Sequence, residues 1–247
     1  MQNMVLAAGT LREQFKLNFI DGERWKWIVQ GLLATLEITA VALVIGIVIG
    51  VIVAAVRSSY DKNKESMKAR GGVGYALLSF FNAVCKVYLT VIRGTPSVVQ
   101  LLICYFIIFS KWRNGVPVAM ISFGINSGAY VAEIFRSGIM SVDEGQFEAS
   151  RSLGFGYLAT MRHVIVPQAF KAVLPAMGNE FIVLLKETSI AGYVGIMDLT
   201  KAGDLIRGRT FSAFMPLISV ALIYLALVML LTWLLGKLER SLRKNER

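Results

Sequence analysis

Residues 28–56 read IVQGLLATLEITAVALVIGIVIGVIVAAV, a run of 29 residues with one charged side chain, Glu37. Crossing the hydrocarbon of a bilayer takes roughly 20 apolar residues in a helix, so this run is long enough to span with some tilt. Gly46 and Gly50 stand four apart in it, the small-xxx-small spacing that lets a second helix approach closely. The whole chain shares the character of this stretch. Of 247 residues, 55% are hydrophobic and 17% charged, and the mean hydropathy is +0.61, too apolar for a soluble domain. A membrane protein is implied.

Outward from the first run the same signal recurs. After the hydrophilic stretch RSSYDKNKESMKAR, residues 57–70, residues 75–110 are apolar but too long for one span, and Lys86, Arg93, Gly94 and Pro96 interrupt them. The sequence predicts an interfacial helix that turns at RGTP into a crossing helix, with Gly94 allowing the turn and Pro96 setting the first turn of the crossing helix. Further apolar segments lie at 119–140, 173–194 and 214–235. The expectation is an all-α polytopic protein of five transmembrane helices in a single domain, 1–247. The first fifteen residues show no basic leader ahead of their short apolar piece, so the first span is expected to direct insertion itself.

Charge gives the orientation. The chain carries 26 Lys and Arg against 16 Asp and Glu. In a polytopic protein such an excess marks loops on the cytoplasmic side rather than a nucleic-acid partner. With the N-terminus outside and the C-terminus in the cytoplasm, sixteen basic residues fall on cytoplasmic segments and nine outside, with Lys186 inside a span. Cys85 and Cys104 sit in apolar surroundings without ligand spacing, which supports neither a disulfide framework nor a metal site.

Residues 148–167, EASRSLGFGYLATMRHVIVP, break the apolar pattern. Helix formers flank Gly154, and glycine permits the positive φ that a helix–turn–helix break requires. On this assignment the segment 141–171 faces the cytoplasm and presents a short helix pair there. Glu148, Ala149 and Ser150 are followed by three residues and Gly154, then by nine residues and Val164, Ile165, Val166 and Pro167. That spacing resembles the cytoplasmic EAA loop of the integral membrane permeases of ATP-binding-cassette importers, whose pattern is Glu-Ala-Ala, three residues, Gly, nine residues, Ile-x-Leu-Pro. Ser150, Val164 and Val166 depart from it by small or apolar replacements. RGTPSVVQ, AYVAEIFRSGI and VPQAFKAVLPAMGNEFIVLLKETSI resemble more narrowly the polar amino-acid branch of that family, and the likeness covers roughly residues 28–236.

The resemblance implies a type I importer permease that carries polar amino acids, with basic amino acids, glutamine or glutamate foremost, across a bacterial cell membrane. Its implied partners are a dimer of ATPase subunits, a second permease copy (identical or paralogous), an extracytoplasmic amino-acid-binding protein and membrane lipid. Glu148, Ala149, Ser150, Leu153 and Gly154 would form the ATPase-coupling loop. The residues themselves agree with a division of labour. No phosphate-cradling Gly-x-x-x-x-Gly-Lys-[Ser/Thr] occurs, and His163, the single histidine, leaves no hydrolytic triad. The chain is therefore expected to be non-catalytic and to bind no cofactor, with ATP and magnesium on the partner ATPase.

Charges inside apolar segments need a function or a partner, since an ionised group at a helix centre costs about 2.5–3.5 kcal/mol on insertion scales. Glu37, Glu133, Glu180, Lys186 and Glu187 are such groups. Glu133 and Arg136 stand three apart and fit an internal pair. Lys186, Glu187, Thr188 and Ser189 fall together in the fourth segment, where they could offer a donor to a substrate carboxylate and an acceptor to its ammonium. These residues are the substrate-passage candidates, and the alternative is a bare passage with selectivity held outside. A secondary transporter or channel would show the same spans and charges, but it has no use for an exposed coupling helix. A membrane-bound enzyme would need a catalytic or ligand cluster, and none has the spacing.

Overall fold

The computed structural model of the chain describes residues 10–244. The first nine residues, which carry part of the expectation about the N-terminus, and the last three lie outside the described residues. Ten α-helices account for the described fold: α1 (Leu11–Phe15), α2 (Trp25–Arg70), α3 (Val73–Gly94), α4 (Ser97–Ile103), α5 (Gly115–Met140), α6 (Glu144–Ser152), α7 (Tyr157–Thr160), α8 (Val166–Glu187), α9 (Leu199–Thr210) and α10 (Phe214–Lys244). π turns extend α4 over Cys104–Ile108 and lead from α7 into α8 over Met161–Ile165.

The stretch 57–70, expected as a hydrophilic loop, is helical and continuous with the first span. Its Lys, Glu, Ser, Met and Ala are tolerated or favoured in a helix, so nothing stops the helix until Gly71 and Gly72, both at positive φ. At 1.5 Å per residue, the 46 residues of α2 make a rod of about 69 Å, more than twice the hydrocarbon thickness. Its polar end must stand outside the membrane.

Helix α5 packs along the middle of α2 through small residues. Gly46 lies against Ser127 and Gly128, Gly50 against Val131 and Ala132, and Gly124 against Ile45; a side chain would fit tightly at Gly46 and has no room at Gly50 or Gly124. The core continues from this seam: Ile38, Ala42, Leu101, Ala119, Phe123 and Leu184 bring α2, α4, α5 and α8 together.

The turn at RGTP separates two runs of contacts. α3 returns antiparallel along the second half of α2, Tyr75 meeting Tyr60 and Leu89 packing with Val53. α4 then continues beside Ile38 and Ala42. Pro96 caps α4, its carbonyl accepting the amides of Val99 and Gln100 at 3.0 and 3.2 Å. By length and apolarity, Trp25–Glu65, Val73–Gly94, Gly115–Met140 and Phe214–Ser241 are long enough to cross a membrane. The helix before the turn is thus the longer of the pair.

The segment expected as a fourth span at 173–194 is displaced. α8 begins at Val166, with Pro167 in its first turn, and ends at Glu187, where a 3₁₀ turn takes over for Thr188–Val194. The hydroxyl of Thr188 donates to the Leu185 carbonyl at 2.8 Å, offering the backbone an alternative to the next helical bond. Gly195, at φ +77, closes the turn.

Two ends of the molecule result. One gathers the polar end of α2, α6, α7 and the end of α10; the other gathers α1, the loop before α5 and α9. The second end is fastened by polar contacts: Thr210 donates to Asn18 at 2.7 Å, and the Leu199 amide donates to the Thr35 hydroxyl at 3.0 Å. Asp198 caps α9 by accepting the amides of Thr200 and Lys201.

Candidate functional site

The helix pair at the polar end is built from its caps. Asp143 accepts the Gly145 amide at 2.8 Å and starts α6. At the other end, the amide of Leu153 bonds back to Ala149, that of Gly154 to Arg151 and that of Phe155 to Ser150. Gly154 has φ +84, and a Cβ there would meet nothing within 4 Å. Its glycine therefore serves the backbone conformation alone. Ser150 is buried, its hydroxyl donating to the Gln146 carbonyl at 2.7 Å. Glu148 and Ala149 are exposed.

The pair is docked on one side and open on the other. Lys62 of α2 bonds Glu144 at 2.9 Å, an interaction that holds the Glu144 carboxyl below its usual range. Phe147 packs with Ile139, Ile165 and Ala169, and Tyr157 reaches Ser59 at 3.4 Å. On the open side, Leu153 and Leu158 are each 79% exposed, and Phe155 is exposed beside them. Apolar tips at the polar end of a molecule, away from the apolar belt, suit a protein partner.

The second candidate cluster is not mid-helix but at the end of α8, and the helix end splits it. Lys186 and Ser189 line a cavity of about 270 Å³ with Thr200, Leu217, Val220, Ala221 and Tyr224. Ser189, Thr200 and Leu217 also line a larger cavity of about 510 Å³, completed by Gly192, Tyr193, Lys201 and Asp204. The two are contiguous and run from the α9 end toward Lys186. Thr188 turns the other way, fully buried, with its hydroxyl 3.5 Å from that of Thr39. Glu187 is half-buried on α8.

The remaining charges take separate places. Glu180 is buried and accepts a hydrogen bond from the Ser127 hydroxyl at 2.7 Å. Glu133 lies between Arg136 at 3.5 Å and Arg93 at 3.8 Å, so the pair expected three residues apart on one helix is present and has a third member. Glu37 stands exposed on α2. Sequence reasoning missed Thr200, Lys201, Asp204 and Tyr224 as cavity residues. The spacing of Lys201 and Asp204 at i, i+3 was the available signal, since it puts both on one helical face.

Comparisons with known proteins point the same way. The family model of the binding-protein-dependent transport system inner membrane component matches residues 69–244. A putative glutamine transport system permease protein GlnP of Rickettsia bellii is 37% identical over 221 residues, covering 87% of this chain and 93% of that protein. The arginine transport system permease protein ArtQ of Bacillus subtilis is 33% identical over 231 residues, covering 89% and 94%. Among solved structures, an amino acid ABC transporter with histidines superposes with a TM-score of 0.77 at 38% identity, over 90% of this chain and 98% of that one. The MetNI methionine ABC transporter, inward facing, gives a TM-score of 0.73 at 20% identity over 88% and 97%, a likeness of fold.

Proposed function

The chain belongs to the family of binding-protein-dependent transport system inner membrane components, and from that premise we propose that it is the membrane-spanning subunit of an ATP-driven importer of polar amino acids. The observation that carries the reading is α6 with its turn: a capped helix, closed by Gly154 at φ +84, that holds Leu153 and Leu158 out at the polar end of the molecule. Five crossings are assigned, to the apolar part of α2, to α3 with α4, to α5, to α8 with its 3₁₀ turn, and to α10. The end bearing α6 faces the cytoplasm, as the excess of basic residues there requires; the N-terminal end faces out.

In this reading an ATPase subunit receives Glu148–Gly154, and ATP with magnesium binds to that partner, not to this chain. Closure of two ATPase subunits moves two permease copies between inward- and outward-open states. An extracytoplasmic binding protein delivers the substrate to the α9 end. Glutamine and arginine head the substrate candidates, because relatives that share more than a third of their residues with this chain, or close to it, carry those names. A zwitterion site beside Lys186, Ser189 and Thr200 is supported by the two cavities that share Ser189 and Thr200, with the ammonium of Lys186 as the donor to its carboxylate. Thr188, Glu187, Glu180 and Glu37 lie on other faces or in the core and do not line the cavities.

Reconstitution tests the function. The chain, with a cognate ATPase and binding protein in proteoliposomes, is expected to accumulate labelled glutamine or arginine only with ATP on the ATPase side. Uptake driven by an ion gradient without an ATPase would establish a secondary transporter instead.

A further inference from the structure

Between the helix pair and the turn before α4 runs a series of charges that neither the docking surface nor the cavities use. Lys62 bonds Glu144 of α6 at 2.9 Å, and its ammonium lies 4.6 Å from the ring of Phe147 on the same helix. The neighbouring residue, Asp61, accepts from Arg136 of α5 at 3.3 Å. Arg136 also reaches Glu133 at 3.5 Å, and Glu133 lies 3.8 Å from Arg93. Arg93 immediately precedes Gly94, and its guanidinium lies 5.8 Å from the ring of Tyr130. Past the turn, Gln100 of α4 donates back to the Ile92 and Thr95 carbonyls at 2.7 and 3.1 Å. The side-chain Oε1 of Gln100 accepts from the Asn126 amide of α5 at 2.9 Å.

Four elements that are separate in sequence are thus joined in one line: α6, the polar part of α2, the end of α5, and the turn that aims α4 into the core. The side chains of Asp61, Glu133 and Arg136 are each about a third exposed. Pairs so placed contribute little to folding. Partly hydrated pairs are better suited to transmitting motion, because they fix relative positions while still allowing partners to exchange when an element shifts.

We propose that Lys62, Asp61, Arg136, Glu133 and Arg93 form a charged linkage that carries displacement of α6 to the turn at Arg93–Pro96, and so to α4 and the core it enters. These are positioning residues for transport, and the inference rests on the reading of α6 as the ATPase-facing helix. The test uses the complete permease–ATPase complex in proteoliposomes with loaded binding protein, measuring complex yield, basal ATP hydrolysis and uptake per ATP hydrolysed.

Asp61→Asn is expected to assemble and to hydrolyse ATP at the basal rate while uptake per ATP falls about fivefold or more, the low end of measured couplings between sites. The exchange Asp61→Arg with Arg136→Asp is expected to recover part of the loss that Arg136→Asp alone produces, because it restores the pair between α2 and α5 but not the pair with Glu133. Wild-type uptake per ATP in Asp61→Asn, or an exchange no better than the single Arg136→Asp variant, overturns the linkage. If Asp61→Asn assembles poorly, Arg93→Gln, at the exposed end of the line, gives the same readout with the same two outcomes. Gly154→Val keeps the two readings apart. If it couples normally, the reading of α6 falls; if it uncouples while Asp61→Asn and Arg93→Gln do not, the linkage alone falls.

Discussion

At the scale of single residues, Gly154 and Lys186 offer the cleanest experiments, because each isolates one physical variable. Space is not limiting at Gly154, so a substitution there acts through φ alone. A β-branched residue held at positive φ costs about 1–3 kcal/mol. Gly154→Val is therefore expected to leave insertion normal but to misplace α6, lowering substrate-stimulated ATP hydrolysis and uptake together by about tenfold, given that 1.4 kcal/mol is a factor of ten. Asparagine tolerates the left-handed region, so Gly154→Asn should retain most of both activities. Equal behaviour of the two variants would refute a role for the turn.

Lys186→Met keeps the length of the side chain and removes its charge. Loss of a charge-assisted bond to the substrate is worth about 1.5–3 kcal/mol, a factor of ten or more in uptake. If Lys186 instead neutralises a carboxylate of its own helix, complex yield should drop first. Uptake at the wild-type level with normal yield would remove the residue from the cavity's function.

At the scale of helices, the apolar runs of α2, α5 and α10 were legible in the sequence because lipid imposes one rule, continuous apolarity, over a length set by the bilayer. The turns at Gly154 and at Gly94–Pro96 were legible because glycine and proline are the residues whose backbone preferences are strongest. What escaped was the state of polar segments. Residues 57–70 have good helix formers and no breaker before Gly71, but hydrophilicity resembles that of a loop, and only the helical propensity distinguishes them. The end of α8 escaped for the opposite reason. Apolar residues run on past Glu187, while the local bond from Thr188 and the glycines at 192 and 195 end the helix. The cavity residues on α9 were hidden because they meet Lys186 and Ser189 on one side and Leu217 and Tyr224 on the other only once α8, α9 and α10 are packed together.

The seam between α2 and α5 carries its own prediction. A side chain at Gly50 would collide with Val131 and with the backbone of Ala132, and overpacking of a tight interface costs about 1–3 kcal/mol. Gly50→Leu should lower the melting temperature of the purified protein by several degrees and reduce its yield in membranes. A stability equal to wild type would show that α2 and α5 can separate without cost.

At the scale of the whole molecule, one chain leaves much apolar surface uncovered. Leu222, Leu225, Met229, Leu230 and Trp233 of α10 are all more than half exposed, as are Phe80, Phe81 and Val87 of α3. Lipid covers such faces, and so does a second copy across a two-fold axis, the commonest symmetry of oligomers. A single copy of the chain cannot enclose a two-fold passage alone. Native mass spectrometry of the purified transporter is expected to show two permease chains with two ATPase chains; a complex with one of each contradicts the symmetric arrangement. Whether an untagged copy of this chain co-purifies with a tagged one decides between a homodimer and a pair of paralogues.

The length of α2 has a mechanical consequence. With the first span taken as residues 28–56, the rest of α2 is a rigid lever whose pivot is the bilayer surface: Lys62 lies about 9 Å beyond that pivot and Arg70 about 21 Å, at 1.5 Å per residue. A rotation of about 10° would move the level of Lys62 by about 1.6 Å and the tip by about 3.6 Å on that geometry. A partner that pushes α6 therefore acts on the short arm, where force is high and travel small, and the motion is amplified toward Gly71. A spectroscopic label at Lys68 should report the transport cycle with about twice the displacement seen by a label at the level of Lys62.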